Sequence, residues 1–377
     1  MAEPFKNLIN ADTVRAARKH LSRAWPTFDG KRFEKLATTG LEALELKARA
    51  QHLRIALEAT LPPTFKDAAD VIEASLATMR SINGEGTPQA GSDGLAGWAV
   101  WPLADYVANR GLADPQRALA ALRALTQRFT AEWSIRPFIE QHPERAFNTL
   151  MQWTTDPSPH VRRLASEGSR PRLPWGAQLK GLIADPSPTL PLLAALQDDP
   201  SAYVRRSVAN HLNDIAKDHP ALLAQWLEQH LVDAPAERRA LLKHASRTLI
   251  KQGDTRVLKA WGLGQRFKGS VTLLLSARSV AIGDTLTVTA TLQSTSARTQ
   301  KLVIDYAVHH MKANGQTTPK VFKGWAVELA PHETRVLNKR HSLRLITTRQ
   351  YHAGKHSLDI RVNGETLAER DFVLRTA

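Results

Sequence analysis

The sequence of 377 residues contains no cysteine. This absence excludes a disulfide framework, a thiolate nucleophile and any zinc or iron–sulfur site with cysteine ligands. No stretch approaches the roughly 20 apolar residues that a membrane-spanning helix requires. The first residues are mixed and charged and lack the apolar core of a signal peptide. We therefore expect a soluble, cytoplasmic protein with no membrane partner.

Acidic residues are also scarce, with 36 Asp and Glu against 51 Lys and Arg and a net charge of +15. An excess of positive charge indicates what the protein binds rather than how it folds. Nucleic acid is the first candidate partner and an anionic membrane surface the second; a basic protein without a polyanionic partner is the remaining alternative. The length and a hydrophobic content of 42% suit a globular chain of two domains.

Motifs of several common chemistries are missing as well. The sequence has no H-E-x-x-H, P-loop or G-x-S-x-G pattern. His309 and His310 lie in a predicted strand, so their side chains point to opposite faces and make a poor metal pair. Gly262, Gly264 and Gly269 do not have the spacing of a dinucleotide fingerprint. We expect no metal and no cofactor.

The sequence up to about Gly264 is typical of helices. Leu41 to Leu61 is amphipathic and rich in helix-forming residues, and Pro62-Pro63 predicts the end of that helix. A further helix is predicted from Asp67 to Met79. Ser81 to Gly94 contains several glycines and few apolar residues, which predicts a surface loop.

Two copies of a short pattern lie 43 residues apart. Asp156-Pro157-Ser158 precedes Val161-Arg162-Arg163, and Asp199-Pro200-Ser201 precedes Val204-Arg205-Arg206. The spacing matches the period of about 40–47 residues in HEAT and armadillo repeats and favours an α-solenoid over a coincidence between two helix starts. We expect the proline in the first helical turn and the arginine pairs to point outward. A degenerate third copy is predicted at Ala236 to Gln252.

After about Phe267 the pattern changes to short runs of β-type residues, with turn signals at 282–284, 314–315 and 363–364. Seven strands in about 110 residues are typical of an immunoglobulin-like sandwich. The predicted fold is an all-α HEAT-like repeat solenoid over residues 1–264, followed by an all-β immunoglobulin-like domain over residues 268–377. That second domain carries 16 Lys and Arg and 8 Asp and Glu, so we expect it to touch the polyanion too. The strands are predicted at 271–275, 286–292, 302–308, 322–329, 336–345, 356–362 and 367–374.

Several charged side chains recur at helical spacing. Arg163 and Glu167 are four residues apart, as are Arg206, Asn210 and Asp214 in turn, so each set shares one face of its helix. Equivalent faces of a solenoid form one concave surface. A wall of arginine with a few carboxylates suits a bound DNA backbone that must also undergo chemistry. Taken alone, each pair is more often a solvated ion pair that stabilises its helix.

Glu132 and Arg136 form a third pair with this spacing. Tryptophan can stack on a base and stabilise a cation, although it is more often a core residue. Trp175 follows Arg170-Pro171-Arg172-Leu173-Pro174 and is predicted to lie in a loop beside arginines, which favours a functional role. Three tryptophans lie close to the carboxylates in sequence: Trp133, Trp153 and Trp175.

The segments FTAEWSIRPF, DPSPHVRRLASEGSRPRLPW and DDPSAYVRRSVANHLNDIAKDHP resemble the AlkC branch of the AlkC/AlkD alkylpurine DNA glycosylases. The C-terminal strands resemble the AlkC subgroup with an immunoglobulin-like domain. The resemblance implies a HEAT-like solenoid that holds duplex DNA, as in bacterial base excision repair. It implies excision of 3-methyladenine and 3-methylcytosine without burial of a flipped base, unlike most glycosylases.

The resemblance also implies roles for individual residues. Asp214 would be the main carboxylate, Glu132 its water-positioning partner, Glu167 a supporting acid, and Trp175 would pack against the lesion nucleotide. The implied DNA-binding residues are Arg163, Arg170, Arg206 and Asn210 at the DNA backbone and Lys312, Lys320 and Lys323 in a contact loop of the sandwich.

The implied chemistry is physically consistent. A cationic alkylated base needs no general acid to leave, and the transition state resembles a sugar oxocarbenium ion. A carboxylate near C1′ stabilises that cation and positions the attacking water. We expect a monofunctional DNA glycosylase that acts as a monomer on alkylated duplex DNA. The alternative is a non-catalytic HEAT-repeat scaffold for DNA or protein, which has no use for acids on a phosphate-binding wall.

Overall fold

The computed structural model describes residues 4–78, 90–263, 265–345 and 350–375. The chain divides into two compact units, Met1–Asp218 and His219–Ala377. The first unit is helical, and the second contains the last four helices and the strands. Gly264, the predicted end of the helical domain, lies outside the described residues. The domain limits at 264 and 268 stay predictions.

Sixteen α-helices lie in the described ranges, and many begin with recognisable signals. Asn10 caps the first helix by accepting hydrogen bonds from the backbone N–H groups of Asp12 and Thr13. Six helices have a proline in the first turn, where no N–H partner is lost. The helices are α1 (Ala11–Ala24), α2 (Gly30–Thr38), α3 (Leu46–Glu58), α4 (Phe65–Ser75), α5 (Val100–Arg110), α6 (Pro115–Thr126), α7 (Arg136–Gln141), α8 (Pro143–Trp153), α9 (Pro159–Glu167), α10 (Lys180–Ala184), α11 (Leu190–Leu196), α12 (Ala202–Asp218), α13 (Pro220–His230), α14 (Ala236–Ala245), α15 (Arg247–Gln252) and α16 (Thr255–Ala260).

Two predicted helices are shorter than expected. The stretch from Leu41 to Leu61 contains a 3-10 turn and then α3, because the buried Arg49 guanidinium binds the carbonyls of Glu42 and Leu44 and holds that segment out of the helix. α4 ends at Ser75, since the next residue forms an isolated β-bridge with residue 95. Met79 and most of the predicted surface loop, residues 81–89, lie outside the described residues.

The 43-residue repeat reappears in the hydrogen bonds at the starts of α9 and α12. In each copy the aspartate carboxylate accepts the backbone N–H of the serine two residues later, at 2.8 Å. The first arginine of each pair donates to the carbonyls of the aspartate and of the proline. These contacts join Asp156 to Arg162 and Asp199 to Arg205. The two helix starts are therefore built alike.

The predicted outward direction of the arginines is wrong for the first copy. Arg162 reaches the carboxylate of Asp199 in the second copy, with Nε 2.6 Å from Oδ2 and Nη2 3.0 Å from Oδ1. Arg123 in α6 reaches Asp156 in the same way, at 2.6 Å. Each aspartate thus links its own helix start to an arginine of an earlier helix. Pro159, rather than the proline of the Asp-Pro-Ser element, occupies the first turn of α9.

The strands of the second unit form two sheets with immunoglobulin-like order. One sheet has the order β1-β3-β6 and the other β2-β8-β7-β4-β5; neighbours are antiparallel except β2 and β8. Residues from both sheets, among them Val288 and Ile304, share one apolar core. All seven predicted strands are present, and the additional β2 is too short to show a periodicity. The strands are β1 (Gly269–Leu275), β2 (Ser279–Ala281), β3 (Thr285–Ser294), β4 (Gln300–Met311), β5 (Thr317–Leu329), β6 (Thr334–Ser342), β7 (Gly354–Val362) and β8 (Glu365–Arg375).

The turn predictions are confirmed. Asn363 and Gly364 between β7 and β8 both have positive φ, 49° and 85°, as a two-residue type I′ turn requires. The two adjacent histidines lie in β4, as predicted. Over the described ranges, no group of three or more His, Cys, Asp or Glu could hold a metal ion. No helix in the same ranges is long and apolar enough to span a bilayer.

Within the second unit, the helices touch the sandwich backbone to backbone. Gly253 after α15 has φ 77°, and a Cβ added to it would lie 2.7 Å from the Cα of Gly364. A Cβ on Gly364 would lie 2.3 Å from the Cα of Gly253. Real Cβ atoms do not approach backbone so closely, so only glycine fits at both positions.

Gly253→Ala should lower the free energy of unfolding by about 3 kcal/mol. The added Cβ would collide with the backbone of Gly364, and a non-glycine residue in the left-handed region is strained by about 1 kcal/mol in addition. Gly262→Ala is the matched control, because its φ is 67° and nothing lies within 4 Å of an added Cβ. Urea titration of both variants measures the difference. Equal losses would show that the contact with Gly364 does not exist in solution.

Candidate active site

Three buried carboxylates and two arginines form a chain of alternating charge, here called the acid–arginine network. Arg163 Nη2 lies 2.8 Å from Glu132 Oε2 and 3.6 Å from Glu167 Oε1. Arg170 Nη1 lies 2.6 Å from the same Glu167 oxygen, and Arg170 Nε and Nη2 each lie 2.8 Å from Asp214 Oδ2. The network therefore joins three acids that are far apart in sequence.

Different elements contribute these side chains. Arg163 and Glu167 lie one turn apart in α9, so the predicted shared face is present, and Arg170 follows that helix directly. Glu132 lies in the turn before α7, and Asp214 in α12. The exposed fractions of the side chains are 10% for Glu132, 7% for Glu167, 2% for Asp214, 17% for Arg163 and 8% for Arg170.

The electrostatics of the network are balanced locally. Burial by itself lowers the pKa of Arg170, but the carboxylates of Glu167 and Asp214 outweigh burial and the pKa is raised. A buried ion-pair network is seldom more stable than apolar residues of the same size. Buried charges arranged in this way therefore indicate a functional site more than a stabilising device.

Two of the three acids have both oxygens occupied. Ser207 Oγ donates to Glu167 Oε2 at 2.5 Å, while Arg170 binds Oε1. Lys217 Nζ donates to Asp214 Oδ1 at 2.8 Å, while Arg170 binds Oδ2. Each oxygen of these two carboxylates therefore accepts at least one hydrogen bond from within the protein.

Glu132 differs from the other two acids. Thr130 Oγ1 donates to Glu132 Oε2 at 2.6 Å, and Arg163 binds the same oxygen. Arg163 also donates to the Thr130 hydroxyl at 3.2 Å, which fixes the hydroxyl between them. Among the residues that the structure describes, Glu132 Oε1 is the one carboxylate oxygen of the network without a hydrogen-bond partner.

The predicted pair of Glu132 and Arg136 does not form. Arg136 begins α7 and Glu132 precedes it in a turn, so the helical spacing rule does not apply. The buried Arg136 guanidinium donates to the carbonyls of Gly168, Arg170 and Ala177 at 2.5–2.9 Å. Burial lowers the pKa of Arg136 to about 10, which leaves it charged at neutral pH. Arg136 therefore fastens the two ends of the loop that carries Trp175.

A row of aromatic rings runs beside Glu132. Trp175 lies in that loop with φ 63° and is 53% exposed, as its predicted loop position implied. It stacks on Trp133 at 6.4 Å, and Trp133 stacks on Trp101 at 4.6 Å. Trp133 directly follows Glu132 in sequence. The row thus ends in the exposed ring of Trp175, whereas Trp153 is buried and lies outside the row.

Tyr203 belongs to the site and was not predicted. Its ring is 45% exposed and lies 4.9 Å from the guanidinium carbon of Arg163, and the ring of His160 packs against it at 5.7 Å. Tyr203 and His160 occupy equivalent positions in the two repeat copies, immediately before the valine. An alignment of the two repeat copies would have identified Tyr203, because an aromatic residue stands immediately before the valine in both copies.

The remaining predicted contacts are scattered. Along α12, Arg206 is exposed, Asn210 is half-buried and Asp214 is buried, so that face runs from the surface to the interior. The predicted lysine contact loop is only partly a loop, because Lys320 and Lys323 lie in strand β5 and the third lysine in the turn before it. A strand holds these side chains more rigidly than a loop would.

Asp105 in α5 supports the turn that carries Glu132. It accepts a hydrogen bond from Ser134 Oγ at 2.9 Å, and Ser134 is buried two residues after Glu132. Burial is the main cause that raises the pKa of Asp105 to about 6. Ionisation of the Asp105 carboxyl group therefore lowers the free energy of unfolding once the pH rises above its unfolded pKa of 3.8.

Asp105→Asn should raise the free energy of unfolding at pH 7.5 by about 1–3 kcal/mol, because the amide oxygen still accepts from Ser134 and no charge is buried. Because the pKa of Asp105 is raised in the folded state, the wild-type protein has its full stability below pH 3.8. It loses part of that stability as the pH rises from 3.8 through about 6. The gain should therefore nearly vanish at pH 4. Urea titrations at both pH values measure it; an equal gain at pH 4 would contradict the assignment.

Fold and site together define a class: a helical-repeat unit with a buried acid–arginine network, in one chain with an immunoglobulin-like sandwich. Residues 122–249, which contain the whole network, match the family described as "DNA alkylation repair enzyme". Residues 270–376 match the family described as the C-terminal Ig-like domain of the uncharacterised protein YhaZ.

Two full-length relatives agree with these matches. The uncharacterised protein YhaZ of Bacillus subtilis (strain 168) is 35% identical over 372 residues, 98% of each chain. The alkylpurine DNA glycosylase AlkC of Pseudomonas fluorescens, in a structure with DNA containing an abasic-site analogue, is 34% identical with a TM-score of 0.89, over 99% of this chain and 100% of that one. The chain belongs to the DNA alkylation repair enzyme family, in the branch with a C-terminal immunoglobulin-like domain, as predicted.

Proposed function

We propose that the protein is a monofunctional DNA glycosylase that removes cationic N3-alkylated bases, 3-methyladenine and 3-methylcytosine, from duplex DNA. Its family repairs alkylated DNA, and the similar AlkC is an alkylpurine DNA glycosylase. The protein would act in the cytoplasm as a monomer, without burying a flipped base. The net charge of +15 suits a DNA partner.

The free oxygen of Glu132 is the observation that carries this proposal. An alkylated base is already cationic and leaves without a general acid, so the barrier lies in forming the sugar cation. A carboxylate oxygen beside C1′ stabilises that cation and can orient the attacking water. Glu132 Oε1 is available for this task, while Oε2 is held by Thr130 and Arg163.

The burial of the network changes the roles expected from sequence. We propose that Glu132, rather than Asp214, supplies the oxygen nearest the sugar. Asp214 and Glu167 act as positioning residues, because their oxygens hold Arg170 and their side chains are almost fully buried. Arg163 orients Glu132 in the same way.

The exposed groups around the network would contact the DNA. We assign packing against the lesion nucleotide to Trp175, whose ring is fixed by the row of tryptophans behind it. Arg206, which is exposed, and Asn210, which is half-buried on the same face of α12, would bind backbone phosphates. Lys312, Lys320 and Lys323 would add further backbone contacts.

Release of methylated bases from alkylated duplex DNA tests this function. We expect the wild-type protein to release free 3-methyladenine well above the spontaneous rate. Chromatography detects the free base, and a control with heat-denatured protein measures the spontaneous release that must be subtracted. Binding to DNA without release would overturn the proposal and favour the non-catalytic scaffold.

A further inference from the structure

A second cluster of cationic side chains lies in the second unit, which contains none of the predicted catalytic residues. Arg239 and Lys243 in α14 lie over the ring of Trp261, with Arg239 Cζ 5.5 Å and Lys243 Nζ 4.6 Å from its centroid. We call Arg239, Lys243 and Trp261 the Trp261 patch.

The positive charge of the Trp261 patch has no ion-pair partner among the residues that the structure describes. Arg239 and Lys243 are both exposed at the surface. Partial burial first, and then repulsion from Arg239 and Lys323, lower the pKa of Lys243.

The patch is also held in one geometry. Trp261 Nε1 donates to Ser246 Oγ at 3.0 Å, which fixes the ring under the two cations. The contact between Gly253 and Gly364 holds the helices of the second unit against the hairpin of the sandwich. Asn363 Nδ2 adds a hydrogen bond of 2.9 Å to the Gln265 carbonyl. The two cations of α14 are therefore held over the Trp261 ring before any partner arrives.

We propose that the Trp261 patch binds a backbone phosphate of duplex DNA, as a contact that supplies affinity but not chemistry. Two exposed cations held over one ring can bind the non-bridging oxygens of a phosphodiester, and such a contact does not depend on the base. An anionic membrane fits less well, because the one large apolar ring of the patch is covered by its own cations. The inference rests on the proposed function for the identity of the anion.

The test compares two double variants with the same change of charge. Arg239→Gln/Lys243→Gln removes the two cations of the patch. Lys301→Gln/Lys355→Gln removes two lysines of the same unit that pair with Glu328 and Asp371. Affinity for an undamaged duplex oligonucleotide is measured by fluorescence anisotropy over a series of salt concentrations, and urea titration confirms that both variants fold.

We expect the patch variant to bind about 10-fold more weakly at moderate salt. Its plot of log affinity against log salt should be flatter by about 1, the value for one lost phosphate contact. The control should match the wild type. Equal slopes for all three proteins would overturn the proposal. Loss of binding to phosphatidylserine-containing vesicles, with DNA binding unchanged, would overturn it in favour of a membrane.

Failure of this inference can be told apart from failure of the proposed function. The patch variant should release methylated bases at the wild-type rate once DNA is saturating. Normal base release with unchanged salt slopes refutes the patch alone. Absence of base release by the wild type refutes the glycosylase, whereas the salt series still decides whether the patch binds DNA.

Discussion

Glu132→Gln should slow the release of 3-methyladenine by about 100- to 1,000-fold, the usual effect of removing one electrostatic contact to a transition state. Glutamine keeps the volume of the side chain and can keep the hydrogen bond from Thr130, but it cannot stabilise the sugar cation. Single-turnover release from saturating alkylated duplex measures the chemical step. Affinity for undamaged DNA should be unchanged or slightly higher, because a negative charge has been removed from a DNA-facing surface.

Glu140→Gln is the matched control for this variant, since Glu140 is an exposed glutamate of the neighbouring helix α7 and has no part in the network. It should release bases at the wild-type rate. Asp214→Asn should reduce release less than Glu132→Gln, because Asp214 acts only through Arg170. If Asp214→Asn stops release while Glu132→Gln does not, the expectation from sequence was correct and the revised role of Glu132 is refuted.

Arg170→Met should lower the free energy of unfolding by about 3–5 kcal/mol, the largest stability effect that we expect in the first unit. The substitution leaves the carboxylates of Glu167 and Asp214 buried without their shared guanidinium. Methionine fills much of the same volume, so the loss reports unpaired charge more than lost packing. Urea titration at neutral pH measures it.

Two further variants make this expectation testable. Arg15→Met removes an exposed arginine whose ion pair with Asp12 lies in solvent, and it should cost less than about 1 kcal/mol. Arg170→Met combined with Glu167→Gln and Asp214→Asn should recover a large part of the stability, because no unpaired charge then remains buried. Losses of equal size in Arg15→Met and Arg170→Met would show that the network is not buried in solution.

Local sequence signals predicted the elements well. The type I′ turn at Asn363 and Gly364 depends on two residues that accept positive φ, and the strand predictions depend on alternation within each run. The repeat was visible because Asp156 and Asp199 make the same local contacts with the residues that follow them. The errors lie at element ends, where tertiary contacts such as those of Arg49 decide the boundary.

The amino-acid sequence by itself determined the two-part architecture, because periodicity, turn chemistry and repeat spacing are properties of short segments. The family followed from the resemblance of three of those segments to known proteins. Only the tertiary structure decided which charges meet. Glu132 was expected to pair with Arg136 four residues away, but it pairs with Arg163 from another helix. An ion pair forms wherever packing brings opposite charges together out of water, and that proximity cannot be found from spacing along one segment.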